Sequence, residues 1–305
     1  MSAFSPRLKQ VLAFAAVYLI WGSTFLAIRV ALETLPGFAM AGMRFLVVAG
    51  ILFTWAWARG DGWPSLAEWR SSALVGILLV AVGNGAVVWA EQHVASGVVA
   101  LIVATEPLWV MLMLWLLGRG DRPSGLSLVG VLLGFAGAAV LALHRSADGS
   151  TLHLPSLLVV VAGSLSWAAG SLAARSSRLP RSLPLSSGMQ MLCGGIALSV
   201  MGLATGDWSR FSLAAVSLRS LLALGFLIFF GALVAFLAYN FLVRTTAPTL
   251  VATYAFVNPM VAVFLGWWLL DEPVERATLI ATGLIVVSVV LVSLATLNRV
   301  RESAS

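Results

Sequence analysis

Charged residues are scarce in this chain, at 10% of its 305 positions, where a soluble domain carries about 25%. A molecule so poor in charge cannot face water on all sides, which excludes an ordinary soluble enzyme or binding domain. The cations stand singly between apolar stretches, so a pI near 10.7 marks no nucleic-acid surface, and no nucleic-acid partner is expected. Cysteine occurs once, as Cys193 inside an apolar run, which excludes a disulfide framework and a thiolate metal site. A lone cysteine in that setting reads as a small buried hydrophobe. Histidine occurs three times, at His93, His144 and His153, near apolar-run boundaries or in loops and without ligand spacing. No serine has the sharp-turn glycine context of a hydrolase nucleophile. An intramembrane enzyme therefore lacks its parts; no catalytic residue, metal or cofactor is expected.

What the chain has in abundance is apolar length: 60% of it is hydrophobic and the mean hydropathy is +1.01. A helix needs about 20 mostly apolar residues to cross a bilayer. That ruler gives ten spans, at 10–31, 37–58, 71–92, 95–117, 124–143, 154–175, 184–204, 218–242, 247–270 and 274–297. Barrel strands would alternate polar and apolar residues, and these runs do not. The first run is too long for a signal peptide and no small-residue cleavage site closes it, so it is expected to stay as a span. Short links such as Thr34-Leu-Pro-Gly37, Gly118-Arg-Gly-Asp-Arg-Pro123 and Asp271-Glu-Pro273 leave no room for a soluble domain. With the N-terminus inside, the 18 Lys and Arg divide into twelve cytoplasmic, five external and Arg44 within a span. Cytoplasmic loops carry the excess of Lys and Arg, so both termini are expected in the cytoplasm of a cell bounded by a bacterial-type inner membrane.

The two halves of the chain echo each other. At a shift of 152, Ala95, Val99, Ala100 and Pro107 fall on Ala247, Val251, Ala252 and Pro259, while Trp21 and Arg29 fall on Trp167 and Arg175 at a shift of 146. Gly130 maps to Gly283 with one residue inserted. The expected fold is all-α and membrane-integral, with ten spans as two five-helix repeats, 11–143 and 155–294. Five is odd, so the second repeat enters from the opposite side. Inverted repeats are a transporter architecture with the site near the midplane between halves.

Trp21-Gly-Ser-Thr-Phe25, Arg44 inside the second run, Trp89-Ala-Glu-Gln-His-Val-Ala-Ser-Gly97 leading into Glu106-Pro107, and Asn258-Pro259 followed by Asp271-Glu-Pro273 resemble the EamA family of the drug/metabolite transporter superfamily. The resemblance covers nearly the whole chain. It implies a ten-helix fold, export or exchange of small metabolites, and a central cavity lined by both halves. The half-length multidrug relatives in that superfamily carry a carboxylate in the first span. Here that span offers Tyr18 and Trp21 and no acid, so their proton-coupling role does not carry over to this helix.

A charge at the bilayer centre costs at least about 2.5–3.5 kcal/mol, so each needs a partner or a task. Arg44 and Glu106 lie at depths differing by about 6 Å at 1.5 Å per residue. They either pair directly or meet backbone carbonyls and cavity water separately. Glu106 precedes Pro107, and a proline within a helix frees a carbonyl. A carboxylate beside such carbonyls suits a cation or a proton, and a structural counterion for Arg44 is the alternative. Pro107 and Pro259 are the candidate helix hinges, and Asn258 stands where the second half lacks the acid. Trp21 and Trp167 are deep and repeat-related, suited either to stacking on a planar or cationic substrate or to helix packing. Asn84 and Glu91, seven apart, share a helical face, as do Tyr254 and Asn258 at i, i+4, with Tyr239 and Asn240 on the preceding run. A hydrated cavity or interhelical hydrogen bonds would each use these groups.

Glu91 and His93 are placed in solvent near the outer boundary. Trp109 also lies deep, while Trp55, Trp57, Trp69, Trp115, Trp208, Trp267 and Trp268 fall at the boundaries as anchors. Gly130 and Gly134 form a close-packing face for use within the monomer or in a homodimer. The expected partners are thus the lipid bilayer, a small-molecule substrate and a second copy if that glycine face dimerises. The main expectation is an alternating-access transporter. The rivals are a non-transporting scaffold or sensor of the same fold, and a channel, for which no filter-like repeated segment exists.

Overall fold

The computed structural model describes residues 5–94, 96–118, 124–145, 154–270 and 276–302, and they form helices and short links with no strand among them. In chain order the helices are α1 (Pro6–Ala31), α2 (Gly37–Ala58), α3 (Leu66–Ala90), α4 (Ser96–Val103), α5 (Glu106–Leu116), α6 (Gly125–Arg145), α7 (Leu154–Ser176), α8 (Leu183–Ala204), the one-turn α9 (Asp207–Arg210), α10 (Leu218–Thr245), the one-turn α11 (Pro248–Val251), α12 (Tyr254–Leu270) and α13 (Arg276–Glu302). Among the described residues, six of them (α1, α2, α3, α7, α8 and α10) are each long and apolar enough to cross a bilayer, and shorter apolar helices accompany them. Outward faces carry apolar side chains such as Leu19, Leu74, Leu158, Leu222 and Phe230, while Arg44, Glu91, Glu106, Gln190 and Asn258 are buried. That distribution suits a lipid exterior and a polar interior.

Local chemistry sets the helix ends. Ser5 caps α1, with Leu8 N donating to its Oγ at 3.2 Å and Pro6 in the first turn, where a proline lacks nothing the helix needs. The third span starts at Leu66 rather than at 71. Ser65 and Glu68 form a capping box, Glu68 N donating to Ser65 Oγ at 3.3 Å and Ser65 N to Glu68 Oε2 at 2.7 Å, which draws the start back into a polar stretch. Gly60 and Gly206 end α2 and α8 with φ of 76° and 74°, a conformation that costs a side chain free energy.

Two expected single spans are interrupted. The fourth, 95–117, breaks at Ala104-Thr105 into α4 and α5, and the ninth, 247–270, breaks at Ala252-Thr253 into α11 and α12. Two others are continuous but widen: α3 is π-helical over Ile77–Asn84 and α10 over Leu227–Val234. Side chains from crossing helices take a carbonyl in each wide segment, Ser166 Oγ donating to Leu78 O at 2.8 Å and Trp21 Nε1 to Gly231 O at 3.0 Å. Such segments recur at functional sites.

In the packing, α2 lies along α8 and α6 along α13, while α1 contacts α10 and α12, and α7 contacts α3 and α5. The glycine face of α6 is taken within the chain: a Cβ on Gly130 would meet Val292, one on Gly134 would meet Ser288 and Phe256, and one on Gly137 would meet the Ala281 carbonyl. Its supposed repeat mate Gly283 faces open space. Cys193 is half-buried rather than buried. Trp55, Trp57, Trp115 and Trp268 are exposed, whereas Trp208 is half-buried and its N–H reaches Ser199 O at 3.0 Å. The Gly118–Pro123 link beyond its first residue, the Asp271–Pro273 link, His153, and the side chains of His144 and Trp267 lie outside the described residues.

A close approach of α3 to α8 yields a test. A Cβ on Gly76 of α3 would stand 2.2 Å from the Gln190 carbonyl of α8, where backbone cannot yield, while one on Gly50 meets nothing within 4 Å. Gly76→Leu is expected to destabilise the fold by about 1–3 kcal/mol or more, and Gly50→Leu to leave it unchanged, as read by thermal unfolding in detergent.

Candidate functional site

A cavity of about 90 Å³ opens between α1, α2, α3, α4, α5, α7, α10 and α12, large enough for several waters. Seven residues singled out from sequence line it: Trp21, Arg44, Asn84, Glu106, Trp167, Tyr254 and Asn258. The eighth, Tyr239, lies beyond its wall, in a smaller space of about 10 Å³ that also touches Glu106. Glu106 therefore stands in the partition between the two spaces.

Four rings build that partition. Trp21 and Trp167 meet edge to face at 5.4 Å, Trp21 lies 5.0 Å from both Tyr239 and Tyr254, and Trp167 lies 5.6 Å from Tyr239. Each such pair contributes about 0.5–1.5 kcal/mol beyond its burial. The phenols are fixed by polar contacts: Tyr254 Oη donates to the Glu106 carboxylate, and Tyr239 Oη hydrogen-bonds Ser171 Oγ. Periodicity from Trp167 puts Ser171 on the same helical face, a signal that could have found it. Gly83 of the α3 π-segment leaves the space that the Trp167 ring fills, since a Cβ there would come 2.7 Å from the indole.

Arg44 and Glu106 do not pair. Arg44 Nη2 donates to Asn84 Oδ1 at 2.5 Å, and the carboxylate takes the Tyr254 hydroxyl instead. Arg44 is held by α2 and Asn84 by the end of the α3 π-segment, so the shortest partner is an amide on the neighbouring helix rather than an acid across the cavity. Glu91 departs from expectation more sharply: it is wholly buried, while His93 is exposed as expected. Just past α3, Arg29 Nη1 donates to the Glu91 carbonyl at 2.7 Å.

Pro107 also sits differently. It is the second residue of α5, so it interrupts no helical hydrogen bond; the break at Ala104-Thr105 precedes it. Pro259 does lie inside a helix, α12. The two breaks, 104–105 and 252–253, correspond at a shift of 148 (252 minus 104), whereas the prolines correspond at 152. On that register Glu106 matches Tyr254, and these two residues touch. Thr105 and Thr253 cap the broken ends alike, donating to Ile102 O and Leu250 O at 2.6 Å each. Trp109 Nε1 donates to Thr105 Oγ1 at 2.9 Å, and Tyr18 Oη lies 2.6 Å from Thr253 Oγ1.

Sequence reasoning quoted Thr24 and Phe25 only as part of the Trp21–Phe25 motif and did not single out Gly163 and Ser164 in the cavity wall. No group of three His, Cys, Asp or Glu able to hold a metal exists among the described residues.

The model of the EamA-like transporter family matches residues 8–143 and 154–294. The chain belongs to the EamA-like transporter family. Among similar proteins, the uncharacterized inner membrane transporter YedA of Escherichia coli (strain K12) is 38% identical over 293 residues, covering 94% of this chain and 93% of that protein. The probable terminal-alkyne amino-acid exporter of Streptantibioticus cattleyicolor is 27% identical, covering 97% of each. The uncharacterized transporter YvbV of Bacillus subtilis is 25% identical over 94% of this chain and 92% of that protein. A solved crystal structure shares the fold with a TM-score of 0.77 at 21% identity, covering 95% of this chain and 98% of that one. This EamA-like protein is thus a multi-pass inner-membrane transporter of the drug/metabolite type.

The buried guanidinium of the EamA-like site makes its own prediction. Asn84→Ala leaves Arg44 Nη2 without its acceptor and is expected to cost about 1–3 kcal/mol. Asn84→Asp, which keeps the acceptor, is expected to recover most of it in the same thermal-unfolding measurement.

Proposed function

We propose that this transporter exports or exchanges small organic metabolites (amino acids, amines or amphipathic drugs) by alternating access. The proposed frame is ten spans in two inverted five-helix repeats, 11–143 and 155–294, with both termini cytoplasmic. The contacts support that frame: α1 meets α10 and α12 as α7 meets α3 and α5, and the self-matched pairs α2–α8 and α6–α13 lie side by side. Arg29 holds the carbonyl just past α3 at 2.7 Å, and its mate Arg175 holds the Thr246 carbonyl just past α10 at 2.5 Å.

The observation that carries the reading is the make-up of the cavity between the halves. It joins one carboxylate, one guanidinium and rings in edge-to-face contact. Arg44 Nε, Ser164 Oγ and Asn258 Oδ1 are buried there without hydrogen-bond partners. Unpaired donors and acceptors inside a cavity are a standing cost that a ligand relieves. An amino acid relieves it at both ends, its carboxylate toward Arg44 and Asn84 and its ammonium toward Glu106 and Asn258, with Trp21, Trp167 and Tyr254 against its side chain. The relative named as an amino-acid exporter favours the same class. Rocking of the halves would bend the chain at the breaks beside Pro107 and within α12 at Pro259, and Glu106 would bind a proton or cation in the partition.

Efflux from proteoliposomes loaded with mixed metabolites, with and without a pH gradient, tests this. Saturable efflux is expected, and Glu106→Gln is expected to abolish its pH-driven part at least tenfold. A wild-type response from Glu106→Gln reduces that carboxylate to a structural acceptor for Tyr254. Absence of any efflux from folded protein overturns the transport reading in favour of a scaffold.

A further inference from the structure

Glu91 is the first residue after α3, and its side chain is wholly buried with no hydrogen bond to either carboxylate oxygen. An ionised carboxylate held that way would lose its hydration with no hydrogen bond in return. The charged groups that act on it are Arg29 of α1 and Arg44 of α2. Arg29 is committed to the Glu91 backbone carbonyl, and Arg44 Nη2 to Asn84. From α7 come the uncharged Val160, in one apolar cluster with Ala90, and Gly163, packed on Ala86, and α4 adds the uncharged Val99 and Ala100 to that cluster. On its own segment the following residues are the exposed Gln92 and His93. A second unpaired group belongs to the same cluster: Arg44 Nε is buried without an acceptor. Asn84 and Glu91, seven residues apart on one face, offer Arg44 two alternative partners along α3.

We propose that Glu91 is a proton-carrying site separate from Glu106, loaded and unloaded as Arg44 exchanges Asn84 for the Glu91 carboxylate. In the arrangement seen here the carboxyl holds its proton and Arg44 stays on Asn84, so no carboxylate is buried unpaired. Loss of that proton to water at the Gln92–His93 end leaves a carboxylate, which draws the guanidinium away from Asn84. Because Arg44 and Asn84 line the cavity and Glu91 does not, the exchange withdraws a positive charge from the substrate space. Proton release at the mouth and substrate affinity are thereby linked through one side chain. The protonation itself does not depend on the proposed substrate class or on the role given to Glu106.

Infrared difference spectra between acid and alkaline pH, on wild-type protein in liposomes without substrate, read the carboxylic-acid C=O stretch directly. A band that disappears as pH rises is expected in the wild type. Glu91→Gln is expected to remove one carboxyl's amplitude from it, Glu106→Gln to leave that component in place, and Glu91→Asp to displace its frequency. A wild-type spectrum without a titrating acid band overturns the proposal whatever the variants do. So does a band unchanged in Glu91→Gln or, should that variant not fold, unmoved in Glu91→Asp. Efflux assays are read separately, so failure of the transport reading would leave this spectrum unaffected.

Discussion

A helix that stops among apolar neighbours exposes amides and carbonyls that no water can reach, and each costs several kcal/mol if left bare. The described residues contain two such stops within apolar runs, at Ala104-Thr105 and Ala252-Thr253, and nearby side chains gather on both. The threonine at each stop turns its hydroxyl back onto its own broken turn and then takes a ring from nearby, Trp109 in one case and Tyr18 in the other. The residues that follow, Glu106 and Tyr254, are tied to each other. That single hydrogen bond joins the two interrupted segments and carries the aromatic partition on its flank.

The π-segments serve the same end by another route. A wide turn offsets carbonyls from their helical donors, and Trp21 and Ser166 supply substitutes from α1 and α7. The widening also brings Gly83 and Gly231 to the cavity wall, where Trp167 packs on the first and Trp21 bonds to the second. Backbone irregularity, aromatic packing and the cavity are therefore one feature rather than three. Arg44 shows the remaining tension. It is 3% exposed, bound by one amide through Nη2, and left with a free Nε, a poised state more than a settled one.

Several of these features were legible in the residues. Apolar run lengths located the six helices that are long and apolar enough to cross a bilayer, because a bilayer sets a minimum helix length. Depth within those runs selected the polar and aromatic residues that meet around the cavity, since a polar group in lipid must turn inward. Hydropathy could not see the breaks, because Val103-Ala104-Thr105 and Val251-Ala252-Thr253 are as apolar as a continuous helix. It also mistook the terminal Glu91 for a solvated residue, since distance from a run's end says nothing about whether a neighbouring helix covers it.

Composition and run length by themselves determined that this chain is a helical membrane protein and which residues lie deep, because those follow from one-dimensional constraints on length and transfer free energy; the family resemblance rested on its motifs. Partner choice belonged to the tertiary structure. Arg44 binds Asn84 rather than Glu106, Glu106 binds Tyr254, and α6 closes on α13, because each outcome depends on which helices cross and how near. Hydrogen bonds act over about 3 Å, and no spacing along the chain encodes a distance that short between helices folded together from opposite ends.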